Sequence, residues 1–176
     1  MFELEEAATL LARTPAMLFA WLVDLPPAWA ETDEGPDTFS PREVVGHLLH
    51  GEDTDWIPRA RRILEHGEAV PFDRYDRFAQ RARFGDWPME RLLGGFATAR
   101  AESLRILRSL PATATDLDRR GTHPVLGTVT LRQLLATWVV HDQTHITQIA
   151  RVMAKRYDQE VGPWGRYMRV LGRRDD

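Results

Sequence analysis

The sequence predicts an all-α protein, a four-helix bundle with a short C-terminal helix. Three observations point there. Apolar residues recur at helical spacing in four long segments, no segment alternates apolar and polar residues as a half-buried strand would, and the connections are long enough to cross the end of a bundle. At 176 residues and 43% hydrophobic content, the chain suits a single globular domain, residues 1–176, with a continuous core.

The first helical segment spans residues 2–24, with Leu4, Ala7, Ala8, Leu11, Met17, Leu18, Trp21 and Leu22 at helical spacing. Pro15 interrupts it, and because proline lacks a backbone donor and clashes with the preceding turn, a kink or a fresh start capped by Thr14 is expected there. Pro26 and Pro27 end the segment, and the polar run from Ala30 to Thr38 reads as a loop. Ser40, Pro41 and Glu43 form a capping box with proline at the first helical position. They open a second helix through Val44, Val45, Leu48, Leu49, Trp56, Ile63 and Leu64 to about Gly67, with a kink expected at Pro58.

Residues 68–86 interleave aromatic and charged side chains, and read as a connection whose aromatics cover one end of the helical core. A third helix begins near Pro88, runs through Leu92, Leu93, Phe96, Ala99, Leu104, Leu107 and Leu110, and is stopped by Pro111. Residues 112–129 form a turn-rich loop. Thr130 and Gln133 repeat the capping-box pattern, and the fourth helix runs from Leu131 to about Tyr157. A short final helix around Trp164 to Leu171 follows the turn Val161-Gly-Pro-Trp164.

Chemistry concentrates on the fourth helix. On its wheel Leu131, Leu134, Trp138, His141, His145, Ile149 and Val152 share one arc, so two imidazoles one turn apart continue the apolar stripe. A buried charged imidazole is costly and a neutral one needs partners, which either hydrogen bonds, in the core or lining a cleft, or a metal would supply. The chain has no cysteine, so any metal is held by nitrogen and oxygen ligands. A zinc-protease reading fails because Asp142 and Gln143, not a glutamate, follow His141. A di-iron carboxylate reading fails because no glutamate stands three residues before a histidine. For a third ligand His47, His50 and His123 remain open, since the second helix's wheel does not choose among them; His66, near a helix end, reads as solvated.

The motifs carry a family resemblance. Phe39-Ser-Pro-Arg-Glu-Val-Val-Gly-His47-Leu, Gly127-Thr-Val-Thr-Leu-Arg-Gln-Leu-Leu135, His141-Asp-Gln-Thr-His145-Ile-Thr-Gln-Ile149 and Val161-Gly-Pro-Trp164 together resemble the DinB/YfiT-like superfamily of metalloenzymes over nearly the whole chain. The resemblance implies a four-helix bundle and a divalent metal, zinc or nickel, on His47, His141 and His145, with His50 left as a neighbour. It implies metal-dependent hydrolysis, or transfer or isomerisation with a low-molecular-weight thiol as cosubstrate. Three nitrogen ligands leave a position open for water or a small-molecule substrate. Asp142 is a candidate to orient an imidazole, and no base is assigned. A metal-binding or metal-sensing bundle without turnover is the alternative.

A formal charge of −3 argues against a broad nucleic-acid footprint, and the arginines at 59, 61 and 62 read as a solvated helix face. The N-terminus lacks the pattern of a secretory signal and no apolar run reaches membrane-spanning length, so a cytoplasmic, membrane-free protein is expected. A second stripe on the fourth helix, Ala136, Val140, Thr147, Ala150 and Ala154, suits either the same chain or a homodimer partner.

Overall fold

The structure is a computed structural model and describes residues 2–110 and 115–172. Its elements are α1 (Leu4–Leu22), α2 (Pro27–Ala30), α3 (Pro41–Thr54), α4 (Trp56–His66), α5 (Ala79–Phe84), α6 (Met89–Ser109), strands β1 (Arg120–His123) and β2 (Gly127–Thr130), and α7 (Leu131–Lys155). The long helices α1, α3, α6 and α7 form the bundle, with α6 and α7 each lying against both α1 and α3. Both predicted capping boxes are present: Ser40 and Glu43 exchange hydrogen bonds at the start of α3, and Thr130 and Gln133 do so at the start of α7.

Proline acts differently from expectation at two places. Helix α1 runs unbroken through Pro15 instead of restarting at Thr14. Pro15 has no N–H for the carbonyl four residues back, Leu11, and that carbonyl accepts from Arg100 Nη1 at 2.8 Å instead. A side chain from another helix thus fills the gap the proline leaves. Pro58, conversely, ends a helix one turn upstream of itself. Its ring conflicts with the carbonyl of Thr54, and the chain breaks between them at Asp55, at φ −114° and ψ −69°. The predicted second helix is therefore two, α3 and α4, and the second ends where Gly67 adopts φ +57°.

Three further elements depart from the sequence reading. The connection at 68–86 contains α5, and its Phe72 and Phe84 are buried. The loop before α7 holds an antiparallel hairpin pairing Arg120 with Thr130 and His123 with Gly127. The final segment forms 3-10 turns, Gly162–Tyr167 and Arg169–Leu171, not an α-helix. Pro111, the expected stop of the third helix, lies outside the described residues; α6 ends at Ser109.

The core comprises two apolar clusters. One gathers Leu11, Trp56, Ile63, Leu104, Leu131 and Trp138; the other gathers Leu18, Val45, Leu48, Leu93, Phe96 and Ile149. Between them each long helix contributes polar residues: Thr14 on α1, Glu52 on α3, Arg100 and Ser103 on α6, and Asp142 on α7, all buried. Arg100, 1% exposed, pairs with both oxygens of Asp142 at 2.7 and 2.9 Å and with Glu52 at 2.8 Å. Trp138 Nε1 donates to Glu52 Oε1 at 3.0 Å. This layer pairs charges that would otherwise be costly in a bundle core, leaving Glu52 Oε2 and Arg100 Nε buried without a hydrogen bond, and the histidines lie beside it.

Candidate metal centre

Helices α3 and α7 bring His47, His141 and His145 together, with one ring nitrogen of each within 4.8 Å of the others. His141 Nε2 lies 3.2 Å from His47 Nε2 and 3.1 Å from His145 Nε2. Capping at Ser40 fixes the start of α3, and the apolar stripe of α7, with Leu131, Trp138 and Ile149 buried, turns the other two imidazoles inward.

The partners on the far side of the rings decide where the lone pairs point. His145 Nδ1 lies 2.8 Å from Gln148 Oε1, so it carries the hydrogen and Nε2 is left as an acceptor. The Arg77 backbone favours a proton on His47, whose Nδ1 lies 3.4 Å from the Tyr75 hydroxyl. Two Nε2 lone pairs therefore face His141 Nε2, which carries at most one hydrogen, while His141 Nδ1 is buried without a partner. At least one lone pair goes unmet by protein. A cation between the rings would satisfy all three. Tetrahedral zinc with bonds of about 2.0–2.1 Å would separate its nitrogens by about 3.3 Å, close to the spacing present.

Burial, reinforced by the neighbouring imidazoles, lowers the pKa of His47 to about 3 and of His141 to about 2, and burial lowers that of His145. Neutral imidazole is the form that binds metal.

The other residues singled out in the sequence stand apart from the three rings. His50 is buried on α3, its Nδ1 accepting from Arg83 Nη1 at 3.0 Å and its ring against Tyr75. Asp142 is committed to Arg100 and makes no hydrogen bond to an imidazole among the described residues. His123 accepts at Nδ1 from the N–H groups of Val125 and Leu126, at 3.2 and 3.1 Å, which fixes the hairpin turn. His66 is exposed at the end of α4.

A cavity of about 370 Å³ opens beside His47 and His141. Trp56, Phe72, Leu126, Val129 and Leu134 supply apolar lining, and Asp55, Arg59, Tyr75 and Arg77 the charged and hydroxyl groups. Trp56 stacks on Trp138, 5.6 Å between centroids, and presents its ring to His141 at 5.1 Å and 70°. Sequence reasoning missed Asp55 and Tyr75. The helix break caused by Pro58 was the available signal for Asp55; for Tyr75, inside a mixed segment, there was none.

The profile of the DinB superfamily matches residues 10–149, a span that includes all three histidines. The chain belongs to the DinB superfamily. Among solved structures, YfiT from Bacillus subtilis, described as a probable metal-dependent hydrolase with an unusual four-helix bundle topology, matches this DinB chain with a TM-score of 0.73 and 21% identity over 87% of each chain. At that identity the likeness establishes the fold. A search of curated proteins finds no match to this member of the DinB superfamily.

Proposed function

We propose that this protein is a metal-dependent hydrolase acting on a small molecule, with a divalent cation, zinc or nickel, held by Nε2 of His47, His141 and His145. The observation that carries the reading is the convergence of three neutral imidazole nitrogens, with at least one lone pair unmet by protein, beside a cavity of about 370 Å³. The description of YfiT as a probable metal-dependent hydrolase favours hydrolysis over thiol transfer.

When bound, a divalent cation would supply Lewis acidity and lower the pKa of water. The chain supplies the rest. Gln148 and the backbone at Arg77 set which nitrogen of His145 and His47 points inward. Trp56, Phe72 and Leu134 give a substrate an apolar body to pack against and exclude bulk water from its reacting end.

The test is metal analysis of the purified protein together with hydrolysis of a panel of small esters and amides. About one metal per chain is expected, lost in His47→Ala, His141→Ala and His145→Ala, with turnover abolished by a chelator and restored by metal. Stoichiometric metal retained in all three variants would overturn the assignment.

A further inference from the structure

We propose that Asp55 is the catalytic proton-transfer group of this site, positioned by Arg59 in the cavity beside His47 and His141. The inference rests on the metal-dependent reading above and adds the base that it lacks.

Elimination within the cavity leads to Asp55. His47 and His141 turn Nε2 toward the third histidine. His123 uses Nδ1 to accept from the hairpin backbone, which leaves the hydrogen on Nε2. Burial pushes the Tyr75 hydroxyl upward, so it keeps its proton. Arg59 and Arg77 are donors only.

Asp55, 8% exposed, is the carboxylate among the described lining residues, and its Oδ1 is buried without an aligned hydrogen bond. Arg59 Nε forms an ion pair with that oxygen from one turn along α4, and the Arg59 guanidinium also lies 5.3 Å from the centre of the Phe72 ring. The ion pair and the Phe72 contact together fix where the arginine and the carboxylate sit in the cavity wall. Burial raises the Asp55 pKa to about 6, with Arg59 opposing, which suits a group that must accept and return a proton near neutrality. The break before Pro58 is what places this side chain in the cavity wall.

In hydrolysis of an acyl substrate, the water oxygen adds to the acyl carbon and its proton goes to the Asp55 carboxylate. The bond to the leaving group then breaks, and Asp55 passes that proton to the departing atom. Acid and protonated leaving group are the products, and Asp55 is again a carboxylate.

Benzohydroxamic acid tests this without knowledge of the substrate, because it binds metal as an anion and must shed a proton. In zinc-loaded wild type, Asp55 takes that proton, so affinity should be flat with pH above about 6, until the ligand itself ionises. In zinc-loaded Asp55→Asn the carboxylate acceptor is gone and the proton passes to solvent. Zinc stoichiometry should be unchanged, affinity near pH 7 should fall by about tenfold or more, and affinity should now rise with pH where the wild type is flat, by up to about tenfold per unit. Asp55→Glu should recover part of the loss. If Asp55→Asn keeps zinc and binds the hydroxamate with wild-type affinity and pH dependence, the inference is overturned while the metal reading stands. No hydroxamate binding by zinc-loaded wild type also overturns it. A wild type that holds no zinc or nickel defeats both, and metal analysis alone reveals that.

Discussion

Asp55 and Arg100 show two ways in which a charged side chain can be buried. Asp55 has one ion-pair partner and an oxygen without an aligned hydrogen bond, so burial prevails and its pKa rises from an ordinary 3.8 to about 6. A carboxyl raised in this way favours the fold when protonated: that contribution is complete below pH 3.8 and is lost as pH rises through about 6. Asp55→Asn, neutral at all pH, should therefore melt at or below the wild-type temperature at pH 4 and above it at pH 7.5, in metal-free protein. A melting difference independent of pH would contradict this. Such a variant, more stable but less able to transfer protons, is the expected mark of a residue retained for function. Arg100 instead meets Asp142, Glu52 and the Leu11 carbonyl at once. Arg100→Met strands two carboxylates and a carbonyl in the core and should cost about 3–5 kcal/mol in denaturant unfolding; a loss under 1 kcal/mol would show that the layer does not depend on it.

Local signals place the helices well, and those between elements place the site poorly. Ser40 with Glu43, and Thr130 with Gln133, act within one turn, which is why both helix starts were legible in the sequence. The stripe containing His141 and His145 was legible for the same reason. His47 and His50 stand three residues apart on one buried helix, and which of them meets His141 depends on how α3 crosses α7, a matter that neither helix's wheel contains. Only the family motif chose between them. The hairpin was invisible because each strand is four residues long, too short for an alternating pattern to register. It is nevertheless closely fitted to α4: a Cβ on Gly121 would come within 2.7 Å of Ile63 Cγ1 and 3.1 Å of Phe72 Cζ. Gly121→Ala should accordingly cost about 1–3 kcal/mol, measured by thermal or denaturant unfolding. An unchanged stability would mean that the hairpin is free to shift away from α4.

In the whole molecule, the polar layer between the apolar clusters links all four long helices, because Arg100 of α6 touches the backbone of α1 and side chains of α3 and α7. Both helices that carry the three histidines are held by this contact, at Glu52 and Asp142. No described helix is long and apolar enough to cross a membrane. The unbroken course of α1 through Pro15 has a further consequence for the order of assembly. In an isolated segment the carbonyl of Leu11 would have only water as a partner, and its protein partner comes from Arg100, 89 residues further along the chain. That backbone acceptor of the first helix thus finds its protein partner on docking. Ordering of α1 around Pro15 is thereby coupled to its long-range association with α6, which adds to the all-or-none character of the bundle.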